Sequence, residues 1–203
     1  MPHDETNDNQ VEHGNTPLDE DESEGLIPPH LTTRAELNQW EARNIGRAHD
    51  WISARTPDAL DLEVLQELHR RMFDETWEWA GAFRSSDNSI SPYHWTEVPR
   101  LVRDLVANTQ VQYEHSEKTP DALDGLAVRF HHELVRIHPW PNGNGRHSRL
   151  ATDLLLRNWG RPQFSWGSAA HPTTPGEIRS RYIGALKAAD AGEFDDLTQF
   201  ARS

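Results

Sequence analysis

The chain has 203 residues and a net charge of −13 at pH 7, because 33 acidic residues outnumber 20 basic ones. It contains no cysteine, which excludes disulfide frameworks and thiol chemistry. No apolar run approaches the roughly 18 residues of a membrane span, and no basic-then-apolar signal pattern opens the chain. We therefore expect a cytoplasmic protein that contacts no membrane and, lacking a basic surface, does not bind nucleic acid directly.

The acidic residues are concentrated at the N-terminus. Residues 1–33 contain nine of them and neither Lys nor Arg. This stretch also lacks apolar periodicity, and such segments cannot bury enough apolar surface to fold. The composition predicts a disordered acidic arm over residues 1–30 and one folded domain over residues 31–203.

A first helix is predicted over about residues 33–54. Thr33 and Glu36 have the spacing of a capping box, in which each side chain bonds the other residue's backbone N–H. The apolar stripe of this helix is formed by Leu37, Trp40, Ala48, Trp51 and Ile52. Glu41 falls on the same stripe, where an ionised carboxylate is costly unless it is paired. We therefore expect Glu41 to have a cationic partner.

The rest of the chain is predicted to be mainly helical. A second helix follows Thr56-Pro57. Apolar stripes at helical spacing indicate further helices over residues 98–113, 123–138, 146–158 and 177–191.

One segment between the second and third helices has a different pattern. Aromatic residues alternate around Gly81, and a polar turn follows before Ile90, formed by Ser85, Ser86, Asp87, Asn88 and Ser89. This pattern predicts a β-hairpin or an extended loop. The fold class is therefore all-α with a small β element.

The most informative segment is residues 138–149, which read HPWPNGNGRHSR. His138 follows an apolar helical stripe and has a side chain that titrates near neutral pH. Gly143 and Gly145 let the backbone turn tightly and point its N–H groups at a common anion. Arg146 and Arg149 stand at i and i+3 of the next helix, so both can reach that anion. The segment indicates phosphate-ester chemistry.

This segment resembles the signature of the Fic family, HPFx(D/E)GNGRxxR. The matching residues are His138, Pro139, Gly143, Asn144, Gly145, Arg146 and Arg149. Trp140 stands where phenylalanine is usual, and Asn142 stands where the family usually has a magnesium-binding carboxylate. The similarity extends over roughly residues 35–200. The chain is most similar to the Fic-type proteins called mobile mystery protein B, which tend to be encoded next to a helix-turn-helix partner.

The resemblance implies a helical Fic fold with a short β-hairpin flap and a protein adenylyltransferase activity. His138 would be the general base that deprotonates a Ser, Thr or Tyr hydroxyl of a target protein. That hydroxyl would attack the α-phosphate of ATP, the co-substrate, and pyrophosphate would leave. The flap would place an extended target segment beside His138, through Ser85, Ser86, Asp87, Asn88, Ser89 and Ile90.

The resemblance also assigns the nucleotide contacts. Gly143, Asn144 and Gly145 would cradle the α- and β-phosphates through backbone N–H groups and the Asn144 amide. Arg146 would hold the β-phosphate and Arg149 the γ-phosphate. Mg²⁺ is expected with the nucleotide, although Asn142 offers the ion only a neutral carbonyl oxygen.

Many Fic proteins are inhibited by a glutamate that is held against the second arginine of the motif. Glu41 is in the right part of the chain for this role, which predicts an ion pair with Arg149. Its surroundings depart from the family's inhibitory pattern, (S/T)xxxE(G/N), because Leu37 precedes it by four residues and Ala42 follows it. Glu36 is the alternative inhibitory glutamate.

Two other functions stay open. A Doc-like kinase would transfer a different phosphate-containing group, but Doc-like motifs have lysine where Gly145 stands. A nucleotide-binding module with little turnover would result if Asn142 damages the site. A zinc site at His131 and His132 is disfavoured, because the sequence HExxR lacks the second histidine of the HExxH helix.

Overall fold

The computed structural model describes residues 25–168 and 175–203, and the part of the predicted acidic arm before Gly25 lies outside them. Seven α-helices are described: α1 Arg34–Arg55, α2 Leu62–Phe73, α3 Val98–His115, α4 Pro120–Ile137, α5 Asn144–Asn158, α6 Pro175–Asp190 and α7 Asp195–Arg202. A short 3₁₀ helix, Trp95–Glu97, precedes α3. The prediction of an all-α fold is confirmed.

The N-terminal end of the described chain is held against the segment after α2. Leu26 and Trp77 form an isolated antiparallel bridge. Ile27 N donates to Thr76 O at 2.9 Å, and Glu78 N donates to Gly25 O at 2.9 Å. These backbone groups, which belong to the end of the predicted arm, therefore have partners in the folded domain.

The start of α1 follows the predicted capping box. Glu36 N donates to Thr33 Oγ1 at 3.4 Å, and Thr33 N donates to Glu36 Oε2 at 3.0 Å. Thr32 N donates to the same carboxylate oxygen at 3.0 Å. Because these bonds hold Glu36 at the exposed end of the helix, its carboxylate serves as a cap.

The core of the domain surrounds α4 and α5, which pack against each other. One apolar cluster contains residues from each of the helices α1, α2, α3, α4 and α5. It includes the fully buried Ile52, Phe73 and Leu154. A second cluster joins α4 and α5 to the C-terminal helices and includes Val128 and Leu197. The motif of residues 138–149 forms the turn between the two central helices, so both clusters support it.

The predicted β-hairpin is not formed within the described residues. We call residues 84–93 the flap segment, which is a chain of bends and turns. Its backbone groups bond to side chains instead of to a second strand. Asn88 Oδ1 accepts from Ile90 N at 3.0 Å and from Ser91 N at 2.8 Å. The segment is therefore an extended loop shaped by polar side chains.

Candidate active site

The turn between α4 and α5 has a left-handed residue at each end. His138 ends α4 with φ 52° and ψ 59°, and Gly143 precedes α5 with φ 77°. A Cβ at Gly143 would lie 2.5 Å from two ring carbons of Phe73. Glycine is therefore required there both by backbone conformation and by the close approach of α2.

Asn144 holds this turn from inside. Its Oδ1 accepts from Trp140 N at 2.9 Å, and its Nδ2 donates to Trp140 O at 2.8 Å. The residue is buried, with 3% of its surface exposed. Its Nδ2 keeps a second N–H beyond the bond to Trp140 O, so the expected contact between the Asn144 amide and a phosphate stays a prediction.

The N-terminus of α5 has donors for an anion. No side chain caps the helix, and its first backbone bond runs from His147 N to Gly143 O at 2.9 Å. The N–H groups of Asn144, Gly145 and Arg146 are the ones that an α-helix leaves without intrahelical acceptors. Such a helix start favours phosphate.

The side chains of the two motif arginines contact different helices. The Arg146 guanidinium lies 5.0 Å from the centre of the Phe73 ring on α2, and Arg149 lies 5.3 Å from the Tyr182 ring on α6. Residues three apart on an α-helix are separated by about 60° around its axis, which allows this divergence. Arg149 has no carboxylate partner among the residues that the structure describes.

Glu41 on α1 pairs with Arg146. Its Oε2 accepts from Arg146 Nη1 at 2.6 Å, and its Oε1 accepts from Trp77 Nε1 at 2.8 Å. Glu41 is buried, with 3% of its surface exposed. The predicted cationic partner is present, but the predicted pairing with Arg149 is wrong, because Arg149 points to the α6 side of the motif helix.

The His138 side chain is partly buried at the end of α4. Its Nδ1 is buried and has no partner in hydrogen-bond geometry within the described chain. Burial lowers the pKa of His138, the nearby Val135 carbonyl opposes that shift, and the positive charge of Arg84 lowers the pKa further. The imidazole is therefore neutral at pH 7 and can accept a proton.

Two buried histidines that were not predicted as site residues contact Trp140. His69 stacks on the indole at 4.3 Å, donates from Nε2 to Asn142 O at 3.1 Å, and accepts at Nδ1 from Gly81 N. His147 donates from Nε2 to Leu65 O at 2.9 Å and accepts at Nδ1 from Trp140 Nε1 at 3.2 Å. Each ring has one donor and one acceptor, so both are neutral.

Burial lowers the pKa of His147 to about 4 and that of His69 well below its usual value. Their contacts lie far apart in sequence, and His147 stands at a variable position of the motif. A single sequence has no signal for them.

His131 and His132 face the C-terminal helices. His131 Nε2 lies 2.9 Å from Tyr182 Oη, and His132 Nε2 lies 2.9 Å from Asp190 Oδ1. Both contacts join α4 to α6. The two rings therefore serve the packing of these helices.

A cleft of about 830 Å³ opens between the motif turn and the flap segment. It is lined by Trp79, Arg84, Ser85, Ser86, Asn88, Pro141 and Asn142, among others. Of the other predicted flap residues, Asp87 accepts from Trp95 N at 2.8 Å, Ser89 is exposed, and Ile90 lines a groove of about 430 Å³ beside α6. A separate cleft of about 600 Å³ between α3, α4 and Phe194 lies away from the motif.

Residues 59–156 match the family model described as the Fic/DOC family. The chain belongs to the Fic/DOC family. The match runs from just before α2 to near the end of α5 and so includes the motif turn and the flap segment. Within the described residues, none of the helices is long and apolar enough to cross a membrane.

Curated relatives of this Fic/DOC chain include two nucleotidyltransferases. A uridine 5′-monophosphate transferase of Xanthomonas campestris is 30% identical over 128 residues, which are 57% of this chain and 24% of that protein. The protein adenylyltransferase fic-1 of Caenorhabditis elegans is 26% identical over 152 residues, which are 74% of this chain and 28% of that protein. The chain thus spans about a quarter of the length of these relatives.

Solved structures show the same fold. The BepC effector of Bartonella tribocorum, with bound AMPPNP, has a TM-score of 0.67 at 15% identity, over 89% of this chain and 95% of that one. Fic-1 of Caenorhabditis elegans has a TM-score of 0.63 at 22% identity, over 88% of this chain and 51% of that one. Because these identities are low, the likeness shows the fold alone.

Gly143→Ala is expected to lower the free energy of unfolding by about 2 kcal/mol or more, since it adds a positive-φ strain and a clash with Phe73. Gly145→Ala is the matched control: a Cβ there meets nothing closer than Tyr182 Oη at 3.9 Å. It is expected to be neutral or stabilising by about 0.5–1 kcal/mol, as for Gly to Ala within a helix. Urea unfolding measures both, and equal losses would contradict the geometry of the turn.

His147→Gln is expected to flatten the acid dependence of stability. The folded pKa of about 4 lies below the unfolded value near 6.5, so His147 contributes stability that is present above pH 6.5 and lost toward pH 4. The loss is at most about 3 kcal/mol from this residue. Burial raises the pKa of Asp153 to about 6, so its contribution to stability changes with pH in the opposite direction.

Urea unfolding at several pH values, with wild type and His147→Gln compared, separates the two contributions, because Asp153 is present in both proteins. Identical pH slopes would show that His147 is not held neutral.

Proposed function

We propose that the chain is a Fic-type protein adenylyltransferase that moves AMP from ATP to a Ser, Thr or Tyr hydroxyl of a target protein, with Glu41 holding it in a resting state. The observation that carries the proposal is the anion-binding turn beside a neutral histidine, with a buried carboxylate already bound to its first arginine. The relatives named adenylyltransferase and uridine 5′-monophosphate transferase support nucleotidyl transfer.

The chain's own groups fit an in-line transfer. Neutral His138 takes the proton of the target hydroxyl as its oxygen bonds to the α-phosphorus, and the bond from that phosphorus to pyrophosphate breaks. The N–H groups at the start of α5 and the guanidinium of Arg149 stabilise the charge on the phosphate oxygens. The cleft beside the flap segment reaches two residues of the motif turn, Pro141 and Asn142.

The residues at the turn do not offer Mg²⁺ a good site. Asn142 Oδ1 accepts from Gly143 N at 2.6 Å, and the Asn142 carbonyl accepts from His69 Nε2 at 3.1 Å. Mg²⁺ prefers carboxylate and phosphate oxygens. An ion that enters with ATP would therefore be bound by the nucleotide and water. Asn142 instead stabilises the turn through its bonds to Gly143 and His69.

Glu41 blocks a different arginine from the one predicted. The resemblance assigns the β-phosphate to Arg146, so the carboxylate competes with the β-phosphate, while Arg149 stays available for the γ-phosphate. A bound nucleotide must displace Glu41 before both arginines hold its phosphates. Resting protein would accordingly bind nucleotide weakly and out of line for attack.

Uridylyl transfer is the second candidate, and the relative from Xanthomonas campestris favours it. A Doc-like kinase and a nucleotide-binding module with little turnover are the remaining alternatives. They differ in the adduct: a kinase leaves a phosphoryl group, and a binding module leaves none.

The wider setting follows from the sequence. We propose a cytoplasmic protein with the acidic N-terminal arm predicted above and a helix-turn-helix partner encoded nearby. Copurification of such a partner with the tagged chain would support this setting, and a purified chain with no copurifying protein would count against it.

Glu41→Gly is expected to increase covalent labelling of proteins in a lysate incubated with α-labelled ATP, because it frees Arg146. Adding His138→Ala to Glu41→Gly should reduce that labelling by about 10²–10⁴-fold, the usual loss for a general base. Glu36→Gly is the matched control, since it removes only a helix cap and should cost about 0.5–2 kcal/mol without activation.

A parallel reaction with α-labelled UTP and the mass of the adduct distinguish adenylyl, uridylyl and phosphoryl transfer. Activation by Glu36→Gly but not by Glu41→Gly would mean that Glu36 is the inhibitory residue. Absence of label on any protein with either nucleotide would reject the transferase function.

A further inference from the structure

Arg84 begins the flap segment and joins it to the motif turn. Its side chain is only 3% exposed. Three backbone carbonyls accept from its guanidinium: Nε donates to His138 O at 2.9 Å, Nη1 to Ser86 O at 2.9 Å, and Nη2 to Tyr93 O at 2.8 Å. One side chain therefore binds the carbonyl of the base and carbonyls near both ends of the flap segment.

The backbone near Arg84 strengthens this connection. Arg84 N donates to Pro139 O at 2.9 Å, next to the carbonyl of His138. Ser91, later in the flap segment, donates its hydroxyl to Ile137 O at 3.0 Å. The flap segment is thus attached to the last carbonyls of α4 and to the residue after the base.

The charge of Arg84 is only partly compensated. Its short bonds go to neutral carbonyls, and its carboxylate neighbour, the exposed Asp87, lies 3.5 Å away. Among the described residues, Arg84 is the charged group that acts on the His138 ring, and it lowers the pKa of His138. Lysine has the same charge but lacks the planar fork that can reach three separate carbonyls.

We propose that Arg84 is a positioning residue that couples the base to the target-binding loop, so that a single guanidinium sets the distance between His138 and the segment on which the target hydroxyl is laid. The proposal rests on the function proposed above in taking His138 as the base. It makes the site sensitive to Arg84 although this side chain need not touch nucleotide or target.

The test compares Arg84→Lys, which keeps the charge, with Arg84→Gln, which removes it. Arg202→Lys is the matched control, because Arg202 also donates to two backbone carbonyls, those of Pro162 and Gln163, and to Asp124 away from the motif. In a Glu41→Gly background, both Arg84 variants should label lysate proteins with α-labelled ATP about 10²-fold more slowly, since misplacement by about 1 Å costs that much. Their affinity for AMPPNP should change less than about threefold, and Arg202→Lys should label normally.

Two further measurements need no activity. Titration of the His138 ring by NMR should show a raised pKa in Arg84→Gln and an unchanged one in Arg84→Lys. Amide exchange of Ile90 and Ser91 should be faster in both variants and unchanged in Arg202→Lys. If no protein is labelled at all, the transferase proposal fails, and these two measurements still decide the role of Arg84.

The coupling is overturned if Arg84→Gln keeps the wild-type pKa of His138 and both Arg84 variants keep the wild-type amide exchange of the flap segment, even where they lose stability. If Arg84→Gln does not fold, Arg84→Lys is used alone. Wild-type amide exchange of the flap segment and wild-type labelling in that variant would then overturn the coupling.

Discussion

The burial of Trp140 fixes the turn on which the whole site depends. The indole is fully buried, stacks on His69 at 4.3 Å and on Phe83 at 4.9 Å, and donates to His147. Its backbone is bonded on both sides by the Asn144 amide. Because the ring contacts α2, α5 and Phe83, the residue before the flap segment, it holds His138 and the start of α5 in one relative position.

A preformed turn of this kind concentrates positive potential, and Glu41 supplies the compensating charge. Removing two charges from water is expensive, and an ion pair compensates only when further hydrogen bonds satisfy the remaining atoms. Trp77 supplies such a bond to the second carboxylate oxygen, at 2.8 Å. A phosphate would offer Arg146 the same kind of charge-assisted bond. Under the proposed function, nucleotide and Glu41 of α1 therefore compete for this arginine.

Local patterns in the sequence predicted the fold well. The capping box of Thr33 and Glu36, the helix ending at His138 and the glycine turn each depend on neighbours within a few residues, and each was found. The position of Glu41 on an apolar stripe correctly indicated a cationic partner. The identity of that partner depends on the direction in which two adjacent arginines lean, and helical spacing does not determine it.

The features that were not predicted depend on contacts between segments that are distant in the sequence. The flap segment is a loop because Arg84, Asn88 and Asp87 take up its backbone groups, and a pattern of polar residues does not distinguish that from a turn between strands. His69 and His147 were not predicted as site residues because each bonds a backbone atom far away in sequence.

The most direct test of the account is a double-mutant cycle on AMPPNP binding, measured by calorimetry with wild type, Glu41→Gln, Arg146→Gln and the double variant. Glutamine keeps the acceptor for Trp77 and removes the charge that competes with phosphate. We expect Glu41→Gln to tighten AMPPNP binding about tenfold or more when Arg146 is present, equivalent to about 1.4 kcal/mol, and to leave it unchanged in the Arg146→Gln background. Equal tightening in both backgrounds, or none in either, would contradict the claim that Glu41 controls the site through Arg146.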